Sequence, residues 1–584
     1  MYGGQIQVTA STAGRKDRWT GARFWGLFLV NFLILALRRR GPFTRPQFWA
    51  EDSIVFYRDQ LVLGSWHALW KPHSGYLTLV ARLIALCAAV LPAALAPLAF
   101  NCAALALAAL SCTVFFLPWY RDWIESNLLR AMLCVLFAAG FFVDELIGNV
   151  TNVLWYLALL GILLLARSPQ DDETTSIPKL LGLAFAAFLA GLSSPVLMIL
   201  IPICVGLLAR GWRRRSALVP GGLLLALTIQ AVVMRTSSVG GGGILPIEHT
   251  LLGALTVCLL YRSILPAVAG ETRSQYMASN FHDASVVIFL IAMVLWMVWL
   301  WKAERGHRLR LTMALYVGIA SVAIAIVVRG KSGAFGSIAG VKTWGAERYY
   351  YLASCIFAYL VARSLSLKWP NRSKVALAFS LIFICGVAAN FHAPQLVDYW
   401  SQDAPLVDVW RRGLREGRAE GIEVPVNPAG WELELPGTLP ADAGFEGANL
   451  GPWAVFGLAT ADVSSAQHYE GKHSIELGNT GGVFQDIVGL RAGAWYRVSA
   501  QGRSECGLPS MGSIWLHDTF GGNMAYAGPR QAPCDRWDKF SADFHAGARG
   551  MLRIHLVGST AKGKLFWDDV RLTECPNGRE TCGH

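Results

Sequence analysis

Through residue 390 the chain is a succession of apolar runs, many of them close to the roughly 20 residues an α-helix needs to cross a hydrocarbon layer. They lie at about 22–37, 76–95, 97–117, 127–144, 150–167, 179–209, 216–234, 285–301, 311–328, 350–365 and 374–390, about eleven in all. The run 179–209 also reads as two short passes broken at Ser193-Ser194-Pro195. The pattern therefore predicts a polytopic α-helical membrane bundle of about 11–13 helices. With 54% hydrophobic and 15% charged residues among 584, a single soluble domain is excluded. Arg15, Lys16 and Arg18 precede the first run as in a signal peptide, but no small-residue cleavage site follows; an uncleaved first helix is expected.

The net charge of +12 would suggest nucleic acid in a soluble protein. Here the basic residues sit in short connections between apolar runs, which reads as membrane orientation and gives no nucleic-acid partner. Arg210 with Arg213, Arg214 and Arg215 forms one cluster, Lys302 with Arg305, Arg308 and Arg310 a second, and Lys368 with Arg372 and Lys374 a third. These are expected on the cytoplasmic side. Segments 236–284 and 329–349, and everything after about 390, then fall outside. Arg38, Arg39 and Arg40 run against this scheme and are assigned to anionic headgroups or a lipid phosphate. The side on which the loops between 76 and 209 lie stays open. Within 236–284, HTLLGALTVCLLYRSILPAVAG is apolar yet must not span, so an interfacial or re-entrant helix is expected.

After Asn390 no run is long enough to span, and short alternating segments such as VFQDIVGL, MLRIHLVG and KLFWDDVRL predict an all-β domain. The expected organisation is a membrane domain at 1–390, a linker on the external face at 391–440 and an external β-sandwich at 441–584. Four of the twelve cysteines, Cys506, Cys534, Cys575 and Cys582, lie in this region. In an exported domain they suggest disulfides, Cys506 with Cys534 and Cys575 with Cys582, with four free thiols as the alternative.

In FWAEDSIVFYRDQ, Glu51 and Asp52 stand side by side among aromatics just after the first apolar run. An acid near a membrane interface is costly and is expected to have a partner or a task. Asp52 either caps a helix opening at Ser53-Ile54-Val55 or does chemistry. The stretches FWAED, KPHSGYLTLVARL and GAERYYYL together resemble the GT-C superfamily of integral membrane glycosyltransferases, particularly bacterial enzymes that take sugars from polyprenyl phosphate. The resemblance covers residues 1 to about 400. It implies a polyprenyl-phosphate sugar donor, an envelope glycan or glycolipid acceptor, inversion at the anomeric carbon, and a multi-pass protein of the bacterial inner membrane with its C-terminal domain outside.

On that resemblance Asp52 is the expected general base, with Glu51 orienting the acceptor or supporting Asp52. Arg348, Lys342 and Tyr349 are the expected contacts for the leaving phosphate, Arg348 foremost because a guanidinium can grip two phosphate oxygens. Snorkelling to headgroups or pairing with Glu347 is the bland reading of Arg348. His73 and Arg82 are further phosphate candidates, Arg82 alternatively pairing with Asp52. Tyr76, Glu145 and Asn149 are candidates for the acceptor.

The order GFEGANLGPW, HYEGKHSIELGNTGGVFQDIVGLRAGAWYRVSAQGR, KLFWDDVRL resembles jelly-roll carbohydrate-binding modules over about residues 444–573. That resemblance implies a structural calcium near both ends of the sandwich, for which Glu446 and Asp569 are the carboxylates here. Trp515, Tyr526 and Trp537 either stack on sugar or belong to the core. The sequence requires no other cofactor, and no nucleotide-binding loop, HExxH, CxxC or GxSxG motif is apparent. The expected function is an inverting glycosyltransferase acting outside the cytosol. The alternatives are a lipid-linked oligosaccharide or O-antigen ligase, and a glycolipid transporter or flippase with a sugar-sensing domain.

Overall fold

The computed structural model describes residues 7–38, 41–139, 146–167, 175–211, 215–237, 251–304, 308–329, 347–369, 371–390, 397–440, 442–447, 449–508, 510–518, 524–575 and 579. The chain divides into two compact units. A helical unit holds residues 1–60, 65–91 and 95–398; a second unit holds 399–584 with the short segments 61–64 and 92–94.

Among the described residues six helices are long and apolar enough to cross a membrane: Gly21–Arg38, Ala93–Phe116, Arg215–Thr236, Ser285–Ala303, Arg348–Lys368 and Arg372–Asn390. The pair Ile177–Gly191 and Pro195–Arg210 bends by 116° at the break foreseen at Ser193–Pro195. Among the described residues some of the apolar runs form helices shorter than a full span. Leu79–Ala89 has 11 residues, Asn127–Ala139 and Val153–Leu165 have 13 each. At 1.5 Å per residue such helices are about 16–20 Å long, short of the roughly 30 Å hydrocarbon layer. Their apolar runs are partly turn: the first gives way at Val90–Pro92, and Val150–Asn152 are held by side chains before the helix at Val153 begins.

Hydrogen bonds fix which loops share an end of this unit. The guanidinium of Arg38, 1% exposed, donates to the carbonyls of Ala139 (2.7 Å) and Asn390 (2.6 Å), tying three helix C-termini together. Asn390 in turn donates to the Pro266 carbonyl at 2.9 Å. Arg38 is thus a helix-end lock, where carbonyl dipoles favour a cation, and not the headgroup contact expected for it. At the opposite end Arg310 pairs with Asp122 (3.3 Å), Arg372 with Glu125 (3.3 Å), and Arg363 with Glu304 while also donating to the Trp123 carbonyl. The helix Leu218–Thr236 finishes at Ser237, whose hydroxyl donates to the Gly75 carbonyl at 2.9 Å. Its 19 residues, about 28 Å, put Arg215 at the basic end. The described members of the three basic clusters therefore collect at one end, and the Arg38, Ala139 and Asn390 termini at the other.

In the second unit, the segment expected to be a linker contains the helix Trp400–Glu416 and a two-stranded antiparallel sheet, β1 (Ile422–Val426) with β2 (Trp431–Leu435). An antiparallel sandwich follows, built of β3 (Ala454–Gly457), β4 (Thr460–Ser464), β5 (Ser474–Ile487), β6 (Trp495–Ser504), β7 (Ser510–His517), β8 (Met524–Gln531), β9 (Asp538–His545) and β10 (Leu552–Cys575). β10 is 24 residues long and changes register between Ser559 and Lys564. Its first half pairs with β5 and β7, its second with β5 and β6, so β5 and β10 turn from one layer into the other. Alternation buries Ile475, Leu477, Ile514, Leu516, Ile554, Leu556 and Trp567 between the layers. Cys506 and Cys534 are joined as expected. Cys575 is also disulfide-bonded, and its expected partner Cys582 lies outside the described residues.

Candidate functional site

The acid pair lies at the end of the helical unit remote from the basic clusters. Ala50 immediately before it has φ 41°, a left-handed conformation that costs a non-glycine residue energy, and a π-helical turn, Asp52–Tyr57, begins at the second acid. The two side chains have different surroundings. Asp52 is 0% exposed. Its Oδ2 accepts the Val150 N–H (3.0 Å), and its Oδ1 accepts the Thr151 N–H and the Thr151 hydroxyl, each at 2.7 Å. The carboxyl therefore caps not Ser53–Val55 but a loop about a hundred residues away, at the entrance of the helix Val153–Leu165, where the dipole and unbonded amides favour an acid. Burial outweighs these three bonds and pushes the Asp52 carboxyl up to about 7, with Glu51 adding a little. Asn149, expected at the acceptor, is buried and accepts the Asn152 N–H at 2.9 Å, completing that turn. Glu51 is half-buried and makes no hydrogen bond or ion pair with any described residue.

Arg82 does not pair with Asp52. Its Nη1 meets Asp59 Oδ2 at 2.7 Å, Asp59 Oδ1 accepts Lys71 Nζ at 2.7 Å, and Arg82 Nη2 donates to the Lys71 carbonyl at 3.2 Å. Arg82 is 0% and Asp59 2% exposed, so the network balances a charge that the fold has removed from water. Asp59 and Lys71 were missed by the sequence reading, although the signal was present as one acid and two bases within 24 residues of an otherwise apolar loop and helix. Thr151 was missed as well; it sits in GNVTNV, a cluster of helix-entry residue types. His73 and Tyr76 form a tight two-residue turn through their backbones (2.8 and 3.1 Å), with Ser74 and Gly75 at φ 51° and 85°. The His73 ring packs edge-on against Phe56 at 5.8 Å, and its burial pushes its pKa down while Glu51 opposes that shift.

The basic loop reaches the same helix. Tyr349 packs edge-on against Trp155 at 5.2 Å, and Arg348 lies over the Tyr349 ring at 5.2 Å. Trp155, 4% exposed, is one turn beyond Thr151. Acid pair and Arg348–Tyr349 loop are therefore joined through the first turn of Val153–Leu165. Lys342 and Glu145 lie outside the described residues.

On the sandwich, the outward face of β5, β10, β7 and β8 carries a row of rings in register. Phe484 faces His555, His555 faces Trp515, and Trp515 faces Tyr526. With strands 4.7–4.9 Å apart the row is about 14–15 Å long. Trp515 is 40% and Tyr526 70% exposed. One residue pair along, Arg553 makes a two-pronged ion pair with Asp486 (2.6 and 2.8 Å) and lies over Phe484 at 4.2 Å, with His517 beside it in register. Burial first, then Arg553, pushes the His555 imidazole down to about 4, keeping it neutral at physiological pH. Trp537 is elsewhere, half-buried against Tyr469 at 6.1 Å.

Glu446 accepts the Lys472 N–H and faces His473, while Asp569 pairs with Arg571 at 2.6 Å. The buried acid here is Asp568, which accepts the backbone N–H groups of Tyr469 (2.6 Å), Glu470 (3.1 Å) and Asp569 (2.7 Å). No group of three or more metal-ligating side chains occurs among the described residues.

No protein-family model and no curated protein matches the chain. Among solved structures it is similar to the CBM22-1 xylan-binding domain of Paenibacillus barcinonensis Xyn10C, at 17% identity over 23% of this chain and 91% of that one, with a TM-score of 0.20. It is also similar to TmCBM61, solved in complex with beta-1,4-galactotriose, at 20% identity over 23% of this chain and 96% of that one, TM-score 0.20. The C-terminal family 22 module of Clostridium thermocellum Xyn10B gives 17% identity, 23% and 96% coverage and a TM-score of 0.19. These likenesses extend over less than a quarter of the chain and leave the helical unit without a counterpart.

Proposed function

We propose that the protein is a membrane-embedded glycosyltransferase that moves a sugar from a polyprenyl-phosphate donor to a hydroxyl of an envelope glycan or glycolipid, and that its β domain holds glycan. The observation that carries this reading is the joining of the acid pair to the Arg348–Tyr349 loop at one end of the helical unit, opposite the basic clusters. With the basic end in the cytosol, the acids face the outside of a bacterial inner membrane.

In the proposed step a carboxylate of the pair takes the proton of the acceptor hydroxyl as that oxygen bonds to the anomeric carbon. The bond from that carbon to the phosphate oxygen breaks, its electron pair stays on the polyprenyl phosphate, and one displacement inverts the centre. Arg348, with Lys342 and Tyr349, answers the charge that grows on the leaving phosphate. The row Phe484–His555–Trp515–Tyr526 supports the glycan assignment, because the exposed rings of Trp515 and Tyr526 offer apolar faces while Arg553, Asp486 and His517 supply polar edges.

The test is sugar transfer by the full chain in detergent, from polyprenyl-phosphate sugars to envelope glycan. Transfer that falls about a hundredfold or more in Arg348→Ala is expected. Glycan binding without any transfer would turn the reading toward the ligase or the sugar-sensing transporter.

A further inference from the structure

We infer that the adjacent acids divide the work: Glu51 takes the acceptor proton, and Asp52 is a positioning residue that pins the acidic loop to the entrance of the helix Val153–Leu165. The inference rests on the transferase reading for the role of Glu51; the pin itself does not depend on it.

A general base needs an open lone pair within hydrogen-bond reach of the proton it removes. A carboxylate offers about four acceptor positions, and three of those on Asp52 are filled, by Val150 N–H, Thr151 N–H and the Thr151 hydroxyl. The side chain is 0% exposed besides. Glu51 has the opposite properties: it is half-buried, and its carboxylate bonds to no described residue. Successive residues of a helical turn point roughly 100° apart. Once Asp52 is fixed inward, Glu51 is aimed along a different direction.

The backbone agrees with a loop held for a purpose. Ala50 occupies the left-handed region at φ 41°, and the turn starting at Asp52 is π-helical. Such a conformation persists only where the surroundings impose it, and the bonds from Val150 and Thr151 do so from across the fold. Thr151 also sets the distance to the other half of the site, since Trp155, one turn on, carries Tyr349 and hence Arg348. Asp52 thereby places Glu51 relative to the group expected on the leaving phosphate. Glu51 accepts the proton, the acceptor oxygen gains its bond to the anomeric carbon, and the polyprenyl phosphate departs with the electron pair of the broken bond.

Four full-chain variants in detergent test this: Glu51→Gln, Glu51→Asp, Asp52→Asn and Thr151→Val, each measured for melting temperature and for transfer from a polyprenyl-phosphate sugar. Glu51→Gln is expected to melt as the unsubstituted protein does, to lose kcat/KM at least a hundredfold and to lose the acid-side pH dependence of that ratio, with Glu51→Asp partly active. Asp52→Asn and Thr151→Val are expected to lower the melting temperature together, and to raise KM more than they lower kcat. Glu51→Gln retaining more than a tenth of the transfer rate overturns the base assignment. Asp52→Asn melting unchanged while transfer vanishes would make Asp52 the base and overturn the division of labour. If the unsubstituted protein transfers nothing, the transferase reading and the role of Glu51 fall together, while the paired melting shifts still decide whether Asp52 is a pin.

Discussion

Each unit contains a buried aspartate that reaches across about a hundred residues of sequence to hold backbone N–H groups. Asp52 holds Val150 and Thr151 in the helical unit, and Asp568 holds Tyr469 and Glu470 in the β unit. Both sit beside a second acid, and there the two sites part. Asp569 is paired with Arg571, so its charge is answered within the domain. Glu51 has no such partner among the described residues, although left-handed backbone occurs at both sites, at Ala50 (φ 41°) and at Asp569 itself (φ 49°). The same device therefore serves two ends. In the sandwich it closes a structural joint; in the helical unit it anchors a loop whose other carboxylate bonds to no described residue.

The sharpest way to break this contrast is to neutralise the second acid in each unit. Glu51→Gln should lower sugar transfer by about a hundred to ten thousand fold, whereas Asp569→Asn should leave transfer in the same assay within about twofold. Equal effects would dissolve the distinction.

Acidity gives the next largest effect. Burial holds Asp52 at about 7, above its ordinary 3.8, so between these values the folded chain keeps a proton that the unfolded chain releases. The contribution of Asp52 to stability is therefore fully present below about pH 4 and is lost as pH rises through about 7, by up to roughly 4 kcal/mol. Melting followed by the fluorescence of the helical unit should show this slope, and Asp52→Asn should flatten it. Asp568 is raised in the same direction by burial, so melting of the β unit should weaken over its own window as pH rises.

A third prediction separates the units by their cross-links. Cys506 and Cys534 close a loop with a sequence separation of 28, and replacing both by serine should cost the β unit about 3–4 kcal/mol. Sugar transfer measured below the lowered melting temperature should persist. The smallest expected effect concerns the ring row: Trp515→Ala or Tyr526→Ala should weaken glycan binding about tenfold each, read by titration calorimetry, with the melting temperature unchanged because both side chains are exposed.

Much of the architecture was legible in the chain. Apolar runs and basic connections gave the helices and the clustering of Arg310 and Arg372 at one end, because hydropathy and charge are local properties of a segment. Two-residue alternation gave the sandwich, since burial on one sheet face leaves that imprint directly. Trp515 and Tyr526 were legible as aromatics in strands, but not as neighbours, because register is set between strands and not along them. Asp52 was visible as an acid that needed an account. That its account is Thr151 could not be seen, since nothing near position 52 encodes a partner 99 residues away.

Residue type and spacing by themselves determined which segments leave water, which form strands, and that two acids follow the first apolar run. Tertiary structure alone decided which of those two acids is sealed in and which stays open, that Arg82 answers Asp59, and that Glu446 accepts the Lys472 N–H while Asp569 pairs with Arg571. The physical reason is that hydrophobic burial is a sum over local composition, whereas the state of a carboxylate depends on the few donors within 3 Å of it, and those are brought there only by the folded chain.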